Sequence, residues 1–266
     1  MSTATYGLKG AEGTAAPAGG AVPLSRLLRV ELRKLVDTRS GRWLLLLMAV
    51  LTAGVVAVFL FTAGPQDLTY SSFVTATATP QGILLPILGI LTVTSEWGQR
   101  TGLVTFTLEP RRGRVVVAKL VAVVLLGLAA VALAFGLAAV GHVLAIATQD
   151  APGDWTFGVT GVRDLVVLQL LGVLQGLALG MLIMNSAGAI VTYFALPIVW
   201  SILTATVDVF TRIGPWVDLN TASLPLMAHE MDAGLWARLA VAALLWVGLP
   251  MLLGWLRLMR RELKSA

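Results

Sequence analysis

Read for hydrophobic period, the chain resolves into six long apolar runs joined by short polar connections. They are Trp43–Thr62, Ala76–Thr94, Leu120–Ala147, Leu165–Met184, Ala187–Val209 and Trp236–Leu258. A hydrocarbon core about 30 Å thick takes roughly 20 apolar helical residues, and the runs average about that. The pattern predicts an all-α polytopic membrane protein with six transmembrane helices. A seventh periodic stretch precedes them. Leu24, Leu27, Leu28, Leu32, Leu35 and Val36 recur at three-and-four spacing, and Arg26, Arg29, Arg33 and Lys34 fill much of the remaining surface. A basic amphipathic helix of this kind lies in the membrane interface. Ser25 is placed to cap its start and Gly41 to end it. Residues 23–42 thus read as an interfacial elbow helix with Arg29, Arg33 and Lys34 on its charged face. It is either a plain membrane anchor or one that also touches a cytoplasmic partner. Residues 43–266 form the six-span domain.

Breaks in the pattern refine each span. Pro80 and Pro86 each remove a backbone donor and crowd the preceding turn, so the second helix should bend or start late. Such breaks persist in lipid only where neighbouring protein satisfies the backbone, which places this span inside a bundle. The third run exceeds one perpendicular crossing and should tilt. It carries His142 near its outer end, if Lys119 marks the inner one. His229 lies in a different connection, and nothing supports a metal site. The fourth run carries Gly172, Gly176 and Gly180 at four-residue spacing, a smooth stripe for close helix packing. Gln169 and Gln175 on the same run need partners at that depth, whether in packing or in lining a substrate path. Asn185-Ser186 turns the fourth run into an antiparallel hairpin with the fifth, which Pro197 should kink. The connection Phe210–Leu235, with Pro215, Trp216, Pro225 and Trp236 close by, is either an aromatic-anchored surface loop or a pair of re-entrant helices.

Charge then sets the orientation. Of the 19 Lys and Arg residues, all but Arg163, Arg212 and Arg238 fall in the N-terminal arm, the second-to-third connection and the C-terminal tail. Positive charge stays in the cytoplasm, so both termini should be cytoplasmic. The chain is 57% hydrophobic and only 12% charged, with a mean hydropathy of +0.86. A soluble domain is about a quarter charged, and no stretch here is left to form one. The net charge of +5 flanks the spans, which fits topology and anionic headgroups rather than nucleic acid. The absence of cysteine excludes disulfides and thiolate chemistry. Residues 1–22, rich in Ala, Gly, Thr and Pro, read as a disordered cytoplasmic tail. They lack the apolar region of a signal peptide.

The connection Ser95–Lys119, SEWGQRTGLVTFTLEPRRGRVVVAK, carries the functional signal. It opens with Glu96 at the inner end of a span, and Arg100 follows at helical acid-to-base spacing. Gly98 and Gly102 turn the chain, Leu103–Leu108 offers a short apolar stretch that includes Phe106, and Pro110 breaks it before Arg111, Arg112 and Arg114. By composition alone it could be a plain positive-inside loop. The order E-W-G-Q-R-T-G, L-E-P-R-R-G-R and A-K-L resembles the first cytoplasmic loop of type-two ABC exporter permeases. The matching positions are Glu96, Arg100, Thr101, Gly102, Pro110, Arg111, Arg114 and Lys119. The elbow segment Glu31–Leu35, the six-span plan and the ending Leu245–Arg261 are similar to that family too, so the likeness runs from about Leu24 onward.

The resemblance implies the permease subunit of an ATP-driven exporter in the plasma membrane. Two six-span subunits would pair, as a homodimer or with another permease, each coupled to a separate cytoplasmic ATPase. Coupling would run through Glu96, Arg100, Thr101, Gly102, Leu103, Phe106, Pro110, Arg111 and Arg114. The chain has no G-x-x-x-x-G-K-[ST] phosphate loop. ATP and Mg would therefore be held by the partner, and this chain would be neither an enzyme nor a cofactor binder. Two rivals remain open. A secondary transporter would place ionisable groups near the midplane, whereas the acidic residues here sit in connections or near span ends, Asp208 closest to membrane depth. A membrane anchor or scaffold without transport is the other. An intramembrane enzyme is disfavoured by the absence of His-Glu-x-x-His and of a nucleophile motif.

Overall fold

The computed structural model describes residues 22–98 and 111–260, and among them there are helices and no β-strand. The tail up to residue 21 and Arg100, Thr101, Gly102, Leu103, Phe106 and Pro110 lie outside the described residues. Helix α1 (Leu24–Asp37) leads into α2 (Arg39–Thr62), followed by α3 (Tyr70–Gly98), α4 (Arg112–Gln149), α5 (Val159–Ile183) and α6 (Ser186–Thr206). Two short helices, α7 (Asp208–Val217) and α8 (Leu219–Ala228), precede the last, α9 (Ala233–Arg260). Helices α2 to α6 and α9 are long and apolar enough to cross a membrane. Among the described residues the fold is all-helical, and its six long apolar helices support a multi-pass membrane protein.

The corner between α1 and α2 differs from the sequence expectation. Helix α1 starts after Pro23 with no side-chain cap, and it ends at Asp37. The Thr38 hydroxyl then accepts the Gly41 N–H at 3.2 Å and caps α2, the role expected of a threonine with extended backbone. Gly41 lies inside α2, where a Cβ would fall 1.9 Å from the Leu35 carbonyl oxygen. It allows the tight corner instead of stopping a helix.

Helix α3 also departs from expectation, running unbroken through Pro80 and Pro86 and starting early, at Tyr70. Its start is set by Thr69, whose hydroxyl accepts the Ser72 N–H at 3.3 Å. Its continuity comes from its neighbours, since α3 is the most enclosed of the six long helices and packs on α2, α4 and α5. The seam with α5 is a backbone-to-backbone contact. A Cβ on Gly176 would lie 2.1 Å from the Pro86 carbonyl oxygen and one on Gly180 2.9 Å from that of Ile90. From the other side, a Cβ on Gly89 would lie 2.4 Å from the Val173 carbonyl oxygen, while Gly172 faces the Pro86 ring. Small residues on both helices bring the backbones together, as they do where lipid offers no hydrophobic drive.

The remaining joints are local. Met184 takes a left-handed conformation at the end of α5, and the Asn185 side chain accepts the Gly188 N–H at 2.8 Å to start α6. Helix α9 widens to a π turn over Leu244–Gly248 just before Pro250, which absorbs the missing proline donor. The Phe210–Leu235 connection is largely helical: α7 and α8 pack on α9, and the Trp246 indole donates to the Val217 carbonyl at 2.5 Å. One apolar core gathers at the end that carries α1, around Leu88, Val116, Leu177 and Met181. A second lies at the far end around Phe73, Val74 and Val131.

Candidate functional site

Four charged side chains meet at the end of the bundle that carries α1. Glu31 and Lys34 sit one turn apart on α1, Glu96 near the end of α3, and Lys119 two turns into α4. The Lys119 ammonium donates to Glu31 Oε2 at 2.7 Å, Glu96 Oε1 at 2.9 Å and the Thr92 carbonyl at 3.0 Å. All three of its donors are used. Lys34 donates to Glu31 Oε1 at 2.8 Å and to Glu96 Oε1 at 2.6 Å. The Lys119, Glu31 and Glu96 side chains are 6%, 5% and 7% exposed, whereas Lys34 is 36% exposed. Two acids and two bases balance, the condition under which buried charge is tolerated. Burial alone would lower the Lys34 pKa, but the Glu31 and Glu96 carboxylates outweigh it and raise it above its ordinary 10.5.

The surrounding arginines brace the same end through backbone carbonyls. Arg112 donates to the Leu258 carbonyl at 2.9 Å and Arg114 to that of Val22 at 2.6 Å, while Arg257 donates to the Leu182 carbonyl. The Leu258 and Leu182 carbonyls lie in the last turns of their helices, where they lack intrahelical partners and carry partial negative charge, so guanidinium groups suit them; Val22 lies just before α1. Arg111 is exposed just before α4. On α1, Arg29 and Arg33 point outward and are exposed, while Lys34 turns into the cluster.

The arrangement behaves as a clamp. Residues 99–110 leave α3 just after Glu96 and return just before α4, and both helices are pinned to α1 through Glu31, Lys34, Glu96 and Lys119. No family model matches the chain, and no curated protein matches it. The functional reading therefore stands on motif and geometry.

Two further groups were placed differently by sequence reasoning. Asp208 is exposed at the start of α7, whereas Asp164, in the second turn of α5, is 1% exposed. Its neighbour Arg163, one of the three basic residues that fall outside the basic segments, pairs with the Asp164 carboxylate at 2.7 Å. Lys119 lies well inside α4, which begins at Arg112. His142 is fully buried, with Nδ1 3.0 Å from the Leu68 carbonyl, an arrangement that requires the proton on Nδ1. Among the described residues, no group of His, Asp and Glu side chains could hold a metal ion.

Proposed function

We propose that the chain is the membrane-spanning subunit of an ATP-driven exporter of the plasma membrane, paired with a second permease and driven by a separate cytoplasmic ATPase. The observation that carries this reading is the buried Glu31–Lys34–Glu96–Lys119 cluster. It ties the amphipathic helix to both ends of the connection whose motifs resemble the coupling loop of type-two ABC exporter permeases. A hydrolysis cycle in a soluble partner acts by displacing something held, and the helices on either side of this connection are held to α1 by ion pairs. The excess of basic residues at this end supports a cytoplasmic position, where ATP is available. Leu103 and Phe106 would fill a groove on the ATPase, and Glu96 would keep the moving segment in register with α1 and α4.

The test measures complex recovery and ATP hydrolysis for two variants with the ATPase co-expressed. Leu103→Asp buries a charge in an apolar contact and should abolish recovery of the ATPase. Glu96→Ala should retain the ATPase but make its rate independent of the permease. Wild-type recovery and rate in both variants would place coupling elsewhere and leave this connection as a topological loop.

The rival reading, an ion-coupled secondary transporter, draws on the buried Asp164. That residue sits near one end of α5 and is already matched by Arg163, while ion-coupling carboxylates work near the midplane. The exporter reading is the better supported.

A further inference from the structure

At the far end of the bundle, α3, α5 and the end of α8 border a half-open groove of about 200 Å³. An engineered cavity of about 150 Å³ holds benzene, so one ring with a short substituent fits. Phe157, Leu165, Leu168 and Leu226 make its walls apolar. Thr75, Thr79 and Gly82 form its rim on an exposed face of α3. Because α3 is one of the long apolar helices, that rim opens sideways, and a ligand would reach the groove from the bilayer.

Most polar groups of the lining are already committed. Asp164 is buried and pairs with Arg163 at 2.7 Å and His229 at 3.2 Å, so it offers the groove no charge. The Thr75 hydroxyl donates to the Ser71 carbonyl and the Thr79 hydroxyl to that of Thr75, both at 3.1 Å. Gln169 is the exception. It is 3% exposed, and Nε2 donates to the Ala78 carbonyl at 3.1 Å. That bond fixes the orientation of the amide and leaves Oε1 with no donor among the described residues. Gly82 opens the way to this oxygen, since a Cβ there would lie 3.9 Å from Oε1 and meet nothing else. Gln169 comes ten positions after Val159, the first residue of α5, which sets it about 15 Å along the helix. At that depth hydrocarbon supplies no donor, and an unpaired buried carbonyl is costly. A water that capped it would leave the apolar remainder of the groove unfilled.

The geometry points to a binding site for a neutral, ring-sized apolar molecule that carries a single O–H or N–H donor. The donor would reach Gln169 Oε1 past Gly82, and the ring would lie against the walls. The two threonine oxygens at the rim, whose hydrogens are already used, are acceptors as well. An apolar hollow with a few converging polar groups is the usual form of a small-molecule site. The site is independent of the exporter reading, because binding needs no ATPase.

The test is equilibrium dialysis of the purified full chain in detergent at pH 7, with protein-free micelles as the reference and three probes of one shape. They are 2-phenylethanol, 2-fluoroethylbenzene, which has no donor, and 2-phenylethylammonium, which is charged. Gly82→Leu fills the groove from an exposed helix face, and Gly136→Leu, at an open position on α4, is the matched control. Gln169→Met removes the acceptor at similar side-chain length. One saturable site per chain is expected, with the alcohol favoured over the fluoride by about fivefold, the worth of one neutral hydrogen bond. The ammonium should bind more weakly than the alcohol, because nothing repays its desolvation. Gly82→Leu should weaken alcohol binding by about tenfold or more, and Gly136→Leu should leave it unchanged. Gln169→Met should still bind both neutral probes but no longer tell them apart. No saturable binding, equal binding of alcohol and fluoride by the wild type, tightest binding of the ammonium, wild-type binding by Gly82→Leu, or a preference that survives Gln169→Met would each overturn the assignment.

Discussion

Lys119→Met replaces the most enclosed cation of the clamp by an apolar side chain of similar length. The substitution removes three donors, at 2.7, 2.9 and 3.0 Å, and leaves Glu31 and Glu96 with Lys34 as their only described cation. At an effective dielectric near 20, a unit ion pair 4 Å apart is worth about 4 kcal/mol. Desolvation has already consumed much of that in forming the pair, so the gross attraction is not what is lost. What is lost is compensation, and stranding one buried charge costs about 3–5 kcal/mol. The double variant Lys119→Met/Glu31→Met restores neutrality and keeps Lys34 on Glu96, at 2.6 Å. It should cost clearly less than the sum of its two single variants, since contacting residues couple. Lys34→Met should cost the least of the single variants. Its contacts are as short as those of Lys119, but it is more than a third exposed and water screens it. Equilibrium unfolding of the purified chain in mixed detergent measures all of these. A cost below about 1 kcal/mol for Lys119→Met, or strict additivity in the cycle, would refute the reasoning from burial.

Three other predictions probe separate layers. Gly176→Ala would set a Cβ 2.1 Å from the Pro86 carbonyl oxygen and should destabilise the chain by about 1–3 kcal/mol. Gly136→Ala, in open space, should be neutral or stabilising by up to about 1 kcal/mol, and equal thermal stability of the two would contradict the backbone contact. Because the chain lacks cysteine, single cysteines report topology cleanly. Asp154→Cys should react with an impermeant reagent from outside and Arg112→Cys only after permeabilisation, and the reverse would invert the orientation. The raised Lys34 pKa adds stability that is complete below the ordinary value of 10.5 and lost as pH rises through the folded value. Alkaline destabilisation should therefore shrink in Lys34→Gln, and an unchanged alkaline limb would remove Lys34 from the account.

The six spans were legible because a membrane helix is announced by composition alone: twenty apolar residues in a row need no partner to be recognised. The α3–α5 seam was half legible. The stripe Gly172, Gly176 and Gly180 stands out by spacing, but its counterpart Gly89 is a lone glycine whose role exists only once α5 is beside it. Pro80 and Pro86 misled for the same reason, since a proline breaks an isolated helix and not one held by three neighbours. Thr69, one residue before α3, was a readable start signal hidden by the prolines beyond it. At the clamp, Glu96 carried a local signal, whereas its bond to Lys34 joins residues 62 apart and Lys119 reaches Glu31 across 88. No periodicity encodes such a pairing. The one hint was Lys119 itself, a cation set among valines and alanines with no acid within a helical turn. Asp164 hid behind Arg163, because adjacent opposite charges at a span boundary read as a solvated pair.

The central claim, that a separate ATPase drives this bundle through the clamped connection, meets its most direct test in the mass of the intact assembly purified from native membranes in mild detergent. The account predicts a pair of six-span permease chains carrying two copies of a soluble subunit with a G-x-x-x-x-G-K-[ST] phosphate loop. A chain recovered without any such subunit, and able to move a solute on an ion gradient when reconstituted by itself, would contradict it.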